Sequence, residues 1–395
     1  MRKFIAIIVL CTGYKAQAQF IIPTLKDGVS FKSADNTFEM NMGFRMQNLV
    51  EVDFAANGNP TTANAMVRRS RLKFDGFIYN PKFEYKFEMG LSNRDIGAND
   101  NFEANSGSSN LILDAVIKYH ATDKLEFWFG QTKLPGNRER VISSQKLQFV
   151  DRSLVNSNFN IDRDMGVQVH YDAKIAKMPI KLAAAWSLGE GRNITNGNHG
   201  GFEQTARVEI YPLGAFTKGG DYVSSDLKRE QKPKLAIGAT LDKNNKTART
   251  GGNLGGFSED TSGNSFYSTL TTLFVDAIFK YRGFSFMTEY ANRQGDIYAE
   301  SRAVTGRNRF RTGSGFVAQA GYLFKNNIEF AGRYTTIKGG TNSRVRDADE
   351  YVLGFSKYFV GHTLKIQSDF GITTDPNNPS ADPLPVFRFQ MELGF

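Results

Sequence analysis

Arg69, Arg71 and Lys73 stand two residues apart, and Arg45 precedes them. On an extended chain that spacing puts the three side chains on one face, about 7 Å apart along the strand. A row of fixed cations lets an anion step from site to site, and a guanidinium fork fits phosphate oxygens. The same residues also fit a structural wall in which they pair across strands with Glu39, Glu84 and Glu88. A second group lies around residues 134–162, where Lys133, Arg138, Arg140, Lys146, Arg152 and Arg163 outnumber Glu139, Asp151 and Asp162. Folded into a narrow channel, such a stretch would focus positive potential. Lying outside, it would cap a neighbouring molecule. The expectation is inward folding, with Asp151-Arg152 as a pin to the wall.

The elements that must hold these cations are strands. In 38–54, 69–78, 83–94 and 387–395, no position of the apolar parity is charged, whereas fourteen of the opposite parity are. A charge facing lipid near the bilayer midplane costs roughly 2–4 kcal/mol and one facing a wet lumen costs little. Arg68 breaks the parity unless it lies at a rim. The chain closes on Phe387-Arg388-Phe389-Gln390-Met391-Glu392-Leu393-Gly394-Phe395, apolar at every odd position. Continued along the chain, the pattern predicts about sixteen strands: 37–55, 66–79, 83–95, 111–121, 125–133, 163–172, 180–189, 202–211, 234–242, 268–281, 284–293, 315–324, 328–337, 350–359, 363–373 and 386–395. Short turns such as Arg282-Gly283 alternate with long polar loops. The fold class is therefore all-β: a transmembrane antiparallel β-barrel with periplasmic turns and extracellular loops. The abundant aromatics, 33 Phe among them, suit lipid-facing strands and interfacial girdles. Connection 212–233 is long for the turn side and reads as a solvated linker rather than a tethered segment.

Met1-Arg2-Lys3, an apolar run to Cys11 and Ala16-Gln17-Ala18 read as a cleaved signal peptide over 1–18. Residues 19–36 form an N-terminal periplasmic segment that plugs the barrel end or pairs with the last strand. The barrel domain is 37–395, with 134–162 as candidate constriction loop. The only Cys lies in the leader, so a disulfide or thiolate metal site is not expected.

Ordered segments resemble one family. They are Lys26-Asp27-Gly28-Val29-Ser30-Phe31, Gly43-Phe44-Arg45-Met46-Gln47, Arg68 to Gly76, Phe129 to Pro135, Glu139-Arg140, Ser143-Ser144, Phe149 to Val155, Arg163 to Gln168 and Asp226 to Gly238. Together they resemble the phosphate-selective porin O and P family over nearly the whole mature chain. The resemblance implies a sixteen-stranded, homotrimeric, anion-passing channel in a Gram-negative outer membrane, in contact with lipid and lipopolysaccharide. Its solutes would be inorganic anions such as phosphate or pyrophosphate, or other small hydrophilic solutes. Glu39, Glu84, Glu88, Asp114 and Glu126 share the lumenal face and argue against strict phosphate preference.

The expected pore and anion-binding residues are Arg45, Arg69, Arg71, Lys73, Lys133, Arg138, Arg140 and Arg152. No cofactor, metal or nucleic-acid partner is expected. His120, His170, His199 and His362 lack a nucleophile context or metal-ligand spacing, so enzyme chemistry is not expected. A weakly selective general porin and a non-conducting structural or adhesive barrel are the alternatives.

Overall fold

The computed structural model describes residues 18–21, 29–96, 110–194, 201–299, 301 and 304–395. The leader expected over 1–18 lies outside them, except for Ala18, which opens a short strand β1 (Ala18–Ile21). Next come β2 (Val29–Ser33), β3 (Phe38–Asp53), β4 (Thr62–Ile78), β5 (Phe83–Gly90), β6 (Ile112–His120), β7 (Leu125–Lys133), β8 (Arg163–Ile175), β9 (Met178–Ser187) and β10 (Glu203–Ile210). The second half is β11 (Lys234–Thr247), β12 (Ser268–Tyr281), β13 (Phe284–Gly295), β14 (Gly313–Leu323), β15 (Ile328–Gly339), β16 (Ala348–Val360), β17 (Leu364–Thr374) and β18 (Leu384–Gly394). Each strand from β3 to β18 pairs antiparallel with the next, and β18 pairs back onto β3 from Val386↔Asp53 to Gly394↔Arg45. The result is a closed sixteen-stranded barrel with no free edge.

The pairing of β18 with β3 reaches only to Gly394↔Arg45, which leaves the start of β3 without that neighbour. Strand β2 takes that place, pairing from Val29↔Met42 to Lys32↔Glu39, and β1 pairs with β2. The N-terminal segment was expected to plug the barrel end or pair with the last strand; the pairing seen for Val29–Lys32 is with the first barrel strand, whose edge would otherwise be open. Strand β5, expected over 83–95, stops at Gly90. After Gly90 the chain turns into a short helix α1 (Asn93–Ile96), which brings Asp95 back to Arg71.

Two faces differ sharply. Outward positions such as Phe129, Trp186, Leu241, Phe330 and Leu353 are exposed, while the alternate positions are buried. Those inner positions are largely polar, including Arg207, Glu209, Asp276, Glu289 and Lys365. Short turns join strands at the end where Phe395 lies. Arg282 and Gly283 both take positive φ (49° and 95°), as a two-residue hairpin of primed type requires. Gln47 and Asn48 face Arg69 and Val67 across a bulge in β4. The extra residue turns Arg68 inward beside Arg69, which corrects its expected place at a rim.

Candidate functional site

The inside of the barrel is not an empty tube. Residues 134–162 leave β7 at Leu134, form helix α2 (Arg138–Val141), a single 3-10 turn (Ser144–Lys146), an irregular stretch and helix α3 (Leu154–Phe159). Ser153 caps α3 by accepting from Asn156 N (3.2 Å), and Glu139 accepts from both Ser153 N (2.9 Å) and Ser153 Oγ (2.5 Å). The segment bonds to inward side chains around the wall. Arg138 reaches Glu209 (2.9 Å) on β10 and Asp276 on β12. Asn137 donates to Glu289 (2.9 Å) on β13, and Gln148 to Glu329 (2.7 Å) on β15. Val150 N donates to Asp369 (3.0 Å) on β17, Arg45 to Ser144 Oγ (2.7 Å), and Asp151 pairs with Arg68. Asp151 is the wall pin of the expected pair, whereas Arg152 stays within the segment.

Apolar contacts complete the anchoring. Leu134, Val155, Phe159 and Ile161 pack with Phe274, Ala291, Val317 and Ile337 of β12 to β15. These wall positions face inward yet are apolar, because the segment and not water covers them. Burying a side chain such as Phe159 contributes about 1.5–3 kcal/mol.

Residues 212–233 also fold inward, from the turn side. Ser225 Oγ donates to Glu329 (2.6 Å), and Lys280 donates to the carbonyls of Gly220, Val223 and Ser225 (2.7–2.8 Å). Ser224 N donates to Lys146 O (3.0 Å), which joins the two inward segments. The expected solvated linker is therefore corrected. Ser224, Ser225 and Asp226 are buried, and the many backbone groups of this segment are satisfied by the wall.

With one side of the lumen filled, open space follows β3 to β9. A cavity of about 350 Å³ is lined by Arg69, Arg71, Lys133, Arg140 and Arg152 of the expected set. Arg68, Lys86, Arg163 and Arg192 join them, against only Glu88, Asp95 and Asp162. Toward the turn side a cavity of about 510 Å³ is lined by Arg45, Arg71, Lys73, Lys86 and Lys146. Arg138 lines neither. It is fully buried behind α2, and its role is to hold the segment rather than to meet a solute.

The cations differ in how far they are neutralised. Arg71 pairs with Glu88 (3.2 Å) and Asp95 (2.6 Å), Lys73 with Asp75 (2.7 Å), Arg140 with Asp162, and Arg163 with Asp114 (3.0 Å). The wall reading thus describes Arg71, whose partner Glu88 lies across on β5; Lys73 pairs along its own strand, and Glu39 and Glu84 turn to Lys32 and His120. Four others have only neutral acceptors among the described residues. Arg69 donates to Gln47 Oε1 (2.7 Å), and Lys133 to the carbonyl of Arg140 (2.7 Å). Arg152 donates to the carbonyls of Glu139 (2.9 Å) and Ile142 (2.7 Å), and Arg192 to that of Asn110 (3.4 Å). Burial, reinforced by Arg140, pushes the Arg152 guanidinium down; burial does the same to Arg192. Burial opposes the charge of Asp162, but Arg140 and Arg163 outweigh it and hold its carboxyl below the usual range. A bound anion would relieve this excess of charge in a partly dry space.

Arg192, on the long connection after β9, carries no periodic signal in the sequence, and only the closed barrel brings it to the cavity. Among the described residues no group of three or more His, Asp or Glu side chains is arranged to hold a metal ion.

Comparison with known proteins agrees with this architecture. Residues 40–382 match the family described as phosphate-selective porin O and P. Comparison with curated proteins by sequence finds no match. Among solved structures, the anion-selective porin of Comamonas acidovorans is similar at 9% identity and TM-score 0.55, covering 90% of this chain and 99% of that one. The outer membrane channel DcaP of Acinetobacter baumannii is similar at 12% identity and TM-score 0.54, covering 92% and 99%. Outer-membrane expressed OmpT of Vibrio cholerae aligns at 11% identity and TM-score 0.50, covering 90% and 98%. At such identities these structures speak to the fold alone. The family match spans most of the chain, and it meets a closed barrel with a cation-lined lumen: the chain belongs to the phosphate-selective porin O and P family and is an outer-membrane channel.

Proposed function

We propose that the channel passes small hydrophilic solutes down their gradient and favours anions of the phosphate type. The observation that carries this reading is the set Arg69, Lys133, Arg152 and Arg192. These cations line one cavity without a carboxylate partner among the described residues. A passing anion completes their coordination, and residues 134–162 act as the constriction that brings it near them. Arg140, Arg71 and Arg163, already paired, fix the geometry. Arg45 and Lys73 line the exit toward the turn side. No cofactor or energy source is needed.

The further expectations fit the same reading. Residues 1–18 act as an export signal removed on secretion. The chain assembles as a homotrimer, the assembly that membership of its family implies. Phosphate titrated into KCl during single-channel recording tests the proposal. Block that is lost in the Arg69→Gln, Arg152→Gln double variant supports it. Phosphate without effect on the wild-type current leaves a general-diffusion porin, and the absence of any current leaves a structural barrel.

A further inference from the structure

The chain has two tryptophans. Trp186 faces outward and is 54% exposed, as an aromatic at a lipid interface should be. Trp128 faces inward, on the alternate parity of β7 from the exposed Phe127 and Phe129. An indole directed into a wet lumen needs another reason.

Its surroundings supply one. Trp128 stacks on His170 of β8, with ring centroids 4.0 Å apart and planes at 28°. Its Nε1 donates to Glu126 (2.8 Å), and Lys118 Nζ lies 4.2 Å from its ring centroid. Cross-strand neighbours thus fix the indole in place. The pair opens on a cavity of about 480 Å³. Leu134, Pro135 and Val141 of one inward segment and Tyr222 of the other line the same cavity, with Glu126, Asp172 and Glu209 among its carboxylates. Tyr222 is itself fixed by donating to Glu209 (2.7 Å). An aromatic pair sharing a cavity with apolar side chains and with the amines of Lys86, Lys118, Lys133 and Lys181 is the chemistry that binds a flat ring bearing a negative group. The cavity shares Lys86, Lys133, Val141 and Ser143 with the cation-lined cavity of about 350 Å³. One molecule can therefore place its ring in the first and its anionic end in the second, with Lys133 between.

We propose that the Trp128–His170 pair forms a ring-binding subsite, and that the channel takes planar organic phosphates of the nucleoside monophosphate kind as well as inorganic anions. This rests on the anion-passing reading above and names a solute class for it. Stacking on an aromatic side chain is a contribution that a sugar phosphate lacking the base cannot make.

The test is block of single-channel KCl current by AMP and by ribose 5-phosphate, which share sugar and phosphate and differ in the base. In the wild type AMP should block at about tenfold lower concentration than ribose 5-phosphate. Trp128→Ala should bring AMP to the ribose 5-phosphate level and leave inorganic phosphate block unchanged, while Trp128→Phe keeps most of the preference. If Trp128→Ala does not fold, His170→Ala replaces it. Equal block by AMP and ribose 5-phosphate in the wild type overturns the subsite, as does an equal loss for all three anions in the variant. If none of the three blocks the wild type, it is the anion-passing reading that fails, and the subsite with it.

Discussion

Arg138 offers the sharpest perturbation, because it separates what holds the inward segment from what meets the solute. Its guanidinium is fully buried and joins α2 to Glu209 and Asp276 on two different strands. Removing one partner of a buried ion pair costs 3–5 kcal/mol when the other is left alone. Here Arg207 still contacts both acids (2.7 Å each), so Arg138→Ala should cost about 3 kcal/mol, the low end. That is roughly a 150-fold shift toward release of the segment. Other anchors remain, among them Asn137 with Glu289 and Gln148 with Glu329, so one substitution should not free it. Hydrogen exchange at 138–160 should rise by about two decades, with conductance unchanged. Adding Phe159→Ala removes a buried ring from the contact with Phe274 and Val317, worth about 3–5 kcal/mol. The sum, about 6–8 kcal/mol if the sites add, should release the segment. Single-channel conductance should then exceed that of the wild type while the barrel stays folded, since its strand ladder is untouched. A double variant with wild-type exchange and conductance would refute the reasoning.

Three other expectations follow from the same geometry. Arg69→Glu should shift ion preference toward cations by about tenfold, because one charge about 7 Å from an ion is worth on the order of 1–2 kcal/mol at an intermediate dielectric; reversal potentials in a KCl gradient read it. Arg71→Glu should instead impair folding or insertion, since it places three acids together with Glu88 and Asp95; the yield of heat-modifiable folded barrel measures this. Glu190, on the connection after β9, is pushed up to about 7 by burial, reinforced by Asp164 and opposed by the Ala248 N–H and Arg249. Its native form holds a proton that the unfolded chain releases near 4.5, so packing around it should weaken as pH rises from about 4.5 to 7. Exchange at 248–258, corrected for intrinsic rate, should rise across that window, and Glu190→Gln should flatten it.

The strands were legible because lipid and lumen sort side chains at a period of two. β12 begins and ends where the pattern says, at Ser268 and Tyr281. Local parity could not show the bulge that turns Arg68 inward, since one inserted residue looks like an error in the pattern. Inward Phe274, Val317 and Ile337 contradict a wet lumen until Val155 and Phe159, far away in sequence, are seen to cover them. The segment 212–233, with its charged run 226–230, read as a solvated linker; the burial of Ser225 comes from partners on β12, β15 and β16, which its sequence neighbourhood does not show. Within the cation set, residue types were legible but pairing was not. Only the folded arrangement separates Arg69 and Arg152, which have neutral acceptors, from Arg71 and Arg140, which have carboxylates.

The proposed anion preference rests on Arg69, Lys133 and Arg152, which line the cavity with neutral hydrogen-bond acceptors. The most direct measurement is the reversal potential of the purified channel in a planar bilayer under a KCl gradient. An anion-selective potential is expected, and it should collapse toward zero when Arg69, Lys133 and Arg152 are all replaced by Gln. A cation-selective or unselective wild type, or a triple variant that keeps full anion selectivity, would contradict it.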